Sequence, residues 1–113
     1  MDQQFIDDVL CTALDSAYGG SLYWIGRTYI LEGSKSDYGV ECKYEVVSRG
    51  GTLVVEDDEG NTFQLNQAKF EQAVQRWAKN RNLEIESLDA GNIDANDADA
   101  ILQYALFREV IYS

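Results

Sequence analysis

The sequence predicts an α+β fold: an antiparallel sheet of three to four strands packed against three helices, in the order α-β-β-β-β-α-α. Three observations carry that prediction. Helical apolar spacing recurs near both ends of the chain and in a third stretch that begins at Asn66. Between the first helical stretch and Asn66, runs rich in branched and aromatic residues alternate with Gly, Ser, Asp and Asn turns. No proline, internal repeat or low-complexity tract interrupts the 113 residues, so 1–113 reads as a single domain.

Taken in order, residues 3–17 form the first helix. Phe5, Ile6, Val9, Leu10, Ala13, Leu14 and Ala17 make one apolar stripe, with Asp8, Cys11, Thr12 and Asp15 opposite. Gly19-Gly20 ends it, because glycine readily takes the left-handed conformation of a helix terminus. SLYWIGRTYILE, 21–32, reads as a strand with Gly26 as a bulge, and GSKSDYG, 33–39, as a polar loop. Residues 40–48 alternate, with Val40, Cys42, Tyr44 and Val46 on one face and Glu41, Lys43, Glu45 and Val47 on the other. Arg49-Gly50-Gly51 is expected to turn that strand into TLVVED, and DDEGN to turn TLVVED into TFQL, giving a three-stranded meander with one apolar face for helices to cover. A second helix starts at Asn66 and runs to about Arg81, with Phe70, Ala73, Val74, Trp77 and Ala78 as its core stripe. Trp77 is therefore expected to be core rather than ligand-binding.

The third helix lies within 94–112. Ala98, Ile101, Leu102, Ala105 and Leu106 form its ridge, with Asn96 as the expected cap and Asp99 three residues on. Asp94, Asp97 and Asp99 place negative charge where the helix dipole favours it. Tyr104 and Phe107 fall outside the ridge, so this helix is either wrapped by the rest of the domain or shared with a partner. On the second alternative they are the self-association residues of a homodimer.

Twenty acids against nine bases give a net charge of −11, which argues against direct binding of nucleic acid or an anionic membrane. It suits either a partner with a basic surface or a requirement for solubility alone. No run approaches the roughly 20 apolar residues of a membrane helix, and the acidic opening MDQQFIDD is unlike a signal peptide, so a cytoplasmic location, inside a host cell, is expected. The absence of histidine removes Ser-His-Asp and Cys-His catalysis and every His-ligated metal site. Cys11 sits among carboxylates that disfavour its thiolate, and Cys42 reads as a small core residue.

The acid clusters fail as calcium loops. Counting from Asp94, a position needing a ligand is Ala98 and the position needing glycine is Asp99; counting from Asp57, the sixth position, which needs glycine, is Thr62 and the twelfth, which needs the closing glutamate, is Ala68. No Gly-rich phosphate loop follows a strand, and the glycine pairs at 19–20 and 50–51 read as turns. With twenty acids, some pair will always lie at a workable catalytic distance, so carboxylate pairing carries no signal. No cofactor is expected. Tyr18, Tyr23, Trp24 and Tyr29 have only Arg27 nearby, which suits core packing or a protein-binding surface rather than base stacking.

Two charge patterns remain. Lys69, Gln72, Arg76 and Lys79 line the polar side of the second helix, either as a solvated face or as a contact for an acidic patch on a second copy. Residues 82–113 carry seven acids and one base. Acids four apart on a helix advance about 6 Å, close to every second phosphate of a DNA strand at roughly 3.4 Å each. Carboxylates so placed can occupy a phosphate-binding groove. The candidate partner-binding residues are Asp57, Asp58 and Glu59 on a turn, then Glu84, Glu86, Asp89, Asp94, Asp97 and Asp99.

DVLCTALDSAYGGSLYW, 8–24, and DANDADAILQYALFREVIYS, 94–113, together resemble a group of short proteins from phages, prophages and other mobile elements. In that group a DxxxTAxEGG…YW segment opens the chain and a DAxxADxIxQxALFGEIVYG segment closes it. The resemblance covers about a third of this chain; Asp15-Ser16-Ala17-Tyr18 departs from it, and Arg108 and Ser113 stand where the group has glycines. It implies a phage setting rather than a chemistry. By analogy with small acidic phage proteins, the expected function is a non-enzymatic, anti-CRISPR-like inhibitor: an acidic, DNA-mimicking surface that blocks a host nucleic-acid-binding defence protein, with a CRISPR effector as the leading partner. The alternatives are a small self-associating phage structural or assembly protein, and an enzyme of unrecognised type.

Overall fold

The computed structural model describes residues 1–15 and 20–112. It is an α+β fold with a three-stranded antiparallel sheet and four helices. Helix α1 spans Gln3–Leu14, started by Asp2, whose Oδ1 accepts from Gln4 N at 2.7 Å. Its expected stripe is buried at Ile6, Val9, Leu10, Ala13 and Leu14; Ala17, Tyr18 and Gly19 of the sequence reading lie outside the described residues. Gly20 is glycine for a different reason from the one the sequence suggested. A Cβ there would collide with the carbonyl of Ala95, so the segment entering the sheet passes hard against the start of the last helix.

Strand β1 is Ile25–Ile30, β2 is Leu53–Asp57 and β3 is Thr62–Leu65, in that spatial order. The bulge expected at Gly26 is present: the register jumps from Ile25 opposite Asp57 to Arg27 opposite Glu56, and a Cβ at Gly26 would crowd the Asp57 carbonyl at 3.1 Å. β2 and β3 form the expected hairpin, Leu53 opposite Leu65 and Val55 opposite Phe63. Residues 21–24 precede the strand as a turn, and 33–39 contain a short helix α2, Lys35–Tyr38, whose Asp37 carboxylate accepts from Ser34 N at 2.8 Å.

The strand expected over 40–48 does not form. Lys43–Arg49 is a 3-10 helix, ended by left-handed Gly50, so Gly50-Gly51 is not a hairpin turn and β1 takes the place beside β2. The consecutive residues Val46 and Val47 are both fully buried, which an alternating strand with one covered face forbids. The segment packs on α1 instead, where Ser48 Oγ donates to Asp7 Oδ1 at 2.7 Å and Tyr44 Oη donates to the Leu14 carbonyl at 3.0 Å. Cys42 is half-buried rather than core.

Helix α3, Gln67–Asn80, starts at the expected Asn66, whose Oδ1 accepts from Lys69 N at 2.9 Å. Phe70, Ala73, Val74, Trp77 and Ala78 are all buried, so Trp77 is core. Helix α4, Ala95–Phe107, packs against α3, α1 and β3. One cluster of buried side chains runs continuously from α1 through the 3-10 helix and sheet to α3 and α4.

Candidate functional site

Residues 21–24 and the segment 94–112 meet at α4. Its cap is Asp94, not Asn96: Asp94 Oδ1 accepts from Asp97 N at 2.8 Å, and Asp97 Oδ2 accepts from Asp94 N at 3.5 Å. Asp97 Oδ1 also pairs with Arg81 at 2.9 Å, tying the end of α3 to the start of α4. Two residues after Asp97, Asp99 accepts four bonds. Ser21 Oγ (2.9 Å) and Trp24 Nε1 (2.8 Å) donate to Oδ1; Tyr23 Oη (2.6 Å) and Gln103 Nε2 (3.1 Å) donate to Oδ2. Such bonds compensate the carboxylate for its burial at 8% exposure. Burial and the Asp99 carboxylate push the Tyr23 phenol up to about 12, so it stays protonated.

Gln103, fully buried, extends this hub to the chain end. Its Oε1 accepts from Ile111 N (2.9 Å) and Tyr112 N (2.8 Å), and its Nε2 donates to the Tyr112 carbonyl (3.1 Å). A primary amide has the donor and acceptor that a backbone segment needs, so Gln103 holds the tail as a strand partner would. The tail ring Tyr112 then stacks on Trp24, centroids 5.0 Å apart, and Phe107 lies 5.3 Å from Trp24 and 4.7 Å from Phe63. Sequence reading did not single out Ser21, Gln103 or Tyr112. A glutamine between Leu102 and Tyr104 on an apolar helix was the available signal.

Three residues assigned to the acidic surface turn inward. Asp57 is 4% exposed and closes the β2–β3 turn, accepting from Asn61 N (2.9 Å), Glu59 N (3.0 Å) and Asn61 Nδ2 (3.1 Å). Burial pushes its carboxyl up, but these bonds outweigh it and leave it below the ordinary carboxylate value. Asp97 and Asp99 serve the cap and the hub. Asp58, Glu59, Glu84, Glu86, Asp89 and Asp94 are exposed, as expected. None of the three ion pairs among the described residues involves them.

Phe107 is half-buried and packs in the aromatic cluster of its own chain. It reaches Phe63 and Trp24 because the tail folds back over a helix face that the ridge pattern left bare. Tyr104 is half-buried, and its hydroxyl accepts from Asn80 Nδ2 at 2.9 Å. The Cys11 thiol is raised by burial, then by Asp15, Cys42, Asp8 and Glu45. No group of three or more His, Cys, Asp or Glu side chains could hold a metal ion among the described residues.

What the hub presents outward is a mixed apolar and acidic surface. Tyr23, Asn96, Ala100, Val110 and Tyr112 line a hollow of about 340 Å³ with Asp99 in its wall. Tyr23 (51% exposed) and Val110 in its lining are exposed apolar side chains, as are their chain neighbours Leu22 and Ile111. The Tyr112 phenol is raised by burial and then by Asp57, Glu59 and Asp58, which places the acidic β2–β3 turn beside the same surface. The fold and this surface define a small α+β domain with no helix, among the described residues, long and apolar enough to cross a membrane. No family model matches the chain, and no curated protein or solved structure matches it.

Proposed function

We propose that this protein is a non-enzymatic binding module that covers a basic, nucleic-acid-binding surface of a partner protein with its own carboxylates. The observation that carries the proposal is the set of six exposed acids (Asp58, Glu59, Glu84, Glu86, Asp89 and Asp94) that no cation of the chain pairs with among the described residues. Unpaired exposed carboxylates are available for charge-assisted bonds to Lys and Arg of a partner. Tyr23, Val110 and Ile111 add apolar contact beside the Asp58-Glu59 turn, and such anchors carry much of the energy of protein interfaces. The phage resemblance of the two terminal segments supports a host defence protein as partner, with a CRISPR effector as the leading case.

The test is inhibition of DNA binding by a purified CRISPR effector or restriction enzyme. Two variants are titrated beside wild type: Asp58→Asn/Glu59→Gln, and Glu84→Gln/Glu86→Gln/Asp89→Asn. Both are expected to inhibit more weakly, with the on-rate falling as salt screens the approach. Wild type that never competes with DNA, or two variants that inhibit as well as wild type, would sink the proposal.

A further inference from the structure

Three of the nine basic residues gather in one groove of about 760 Å³ between α3 and α4, where Lys69, Arg76 and Arg108 stand around Gln72, Tyr104 and Leu106. In a chain with twenty acids, none lines it among the described residues. Lys69 Nζ donates to the Gln64 carbonyl (2.9 Å) and Arg76 to the Arg108 carbonyl (2.6 Å); backbone carbonyls orient these cations without neutralising them. The groove thus combines three uncompensated positive charges with the half-buried apolar surface of Tyr104 and Leu106.

The complementary pattern stands elsewhere in the same chain. In residues 83–89, LEIESLD, the first four alternate apolar and acidic side chains, with Leu83 43% and Ile85 36% exposed, and Glu84, Glu86 and Asp89 are exposed and in no ion pair among the described residues. This strip cannot serve its own groove. Ile85 and Glu86 line a different groove with Glu71 and Gln75 of α3. Gln72 and Arg76 follow those two by one residue, about 100° round a helix of 3.6 residues per turn. Strip and basic groove therefore lie on different flanks of α3.

We propose that the Lys69-Arg76-Arg108 groove takes the 83–89 strip of a second copy of this chain. Leu83 and Ile85 would cover Tyr104 and Leu106, while Glu84 and Glu86 meet the three cations. A second copy is favoured over a free anion because the strip brings apolar contact for Tyr104 and Leu106 as well as charge. Each copy offers both halves, so a two-fold pair makes the contact twice. Asp58 and Glu59 are not in this contact, so its failure and that of partner binding are separable.

The experiment is analytical ultracentrifugation of the full chain across concentration and salt. Wild type is expected to dimerise reversibly and to dissociate as salt rises. Lys69→Glu/Arg76→Glu and Glu84→Lys/Glu86→Lys should each weaken association by at least about tenfold, the scale of a close charge pair. An equimolar mixture of the two should regain it, since one contact of the mixed pair keeps the wild-type signs and the other is re-formed with its signs exchanged. Circular dichroism checks folding; if the groove variant unfolds, the strip variant, altered only at exposed residues, decides alone. Wild type that stays monomeric, association indifferent to salt or to the strip variant, or a mixture of folded variants that remains monomeric would overturn the proposal.

Discussion

At the scale of single residues, the two tryptophans have opposite needs. Trp24 Nε1 supplies one of the four donors to buried Asp99, whereas buried Trp77 Nε1 has no hydrogen-bond partner among the described residues. Trp24→Phe should therefore exceed Trp77→Phe in cost by about 1–3 kcal/mol, the penalty for removing one partner of a buried bond. Trp77→Ala should cost about 3–5 kcal/mol through the cavity it leaves. Urea unfolding of the three variants checks both statements, and equal costs for the two Phe variants would contradict the hub. Tyr23 makes a pH prediction. Folding raises its phenol from near 10 to about 12, so the folded chain holds this proton more tightly than the unfolded one. That stabilisation is complete below pH 10 and is lost as pH rises from 10 through about 12. In an ultraviolet tyrosinate titration, Tyr23→Phe should remove the highest transition, and Asp99→Asn should move it toward 10.

At the scale of elements, α4 ends on a residue poorly suited to its conformation. Arg108 is left-handed, with φ 66, a conformation that glycine takes far more readily. Arg108→Gly should raise stability by about 0.5–1 kcal/mol, because a Cβ in that region crowds the backbone and glycine does not. A lower melting temperature would show that the arginine side chain contributes more than its backbone costs. The 3-10 helix at 43–49 shows why local alternation misleads. Val40, Cys42, Tyr44 and Val46 repeat with period two, yet α1 offers a surface on which Val46 and Val47 are buried together. Tertiary packing outweighed the local pattern.

At the scale of the whole molecule, a charge of −11 over a small domain is self-repulsive, and only three ion pairs join the described residues. Sodium chloride should raise the melting temperature steadily, since the screening length falls from ~30 Å at 0.01 M to ~3 Å at 1 M. A melting temperature indifferent to salt would mean that the carboxylates lie too far apart to repel. Salt is thus expected to stabilise the fold while weakening both proposed contacts.

Sequence alone was sufficient for the α+β class, for α3 with its Asn66 cap, for the buried stripes of α1 and α3 and for the bulge at Gly26. Each follows from short-range rules of period, capping and turn chemistry that a few neighbouring residues obey or break. Only the tertiary structure decided which acids are surface and which are framework. Asp58 and Glu59 lie beside Asp57, with nothing in composition to separate them. What separates them is which carboxylates meet backbone amides, Arg81, Ser21 or Trp24 from distant parts of the chain. The same holds for Phe107 and Gln103, whose partners Phe63 and Tyr112 arrive only when the sheet and tail close over α4. A side chain's role is set by its neighbours in space, and those contacts span sequence separations that periodicity cannot see.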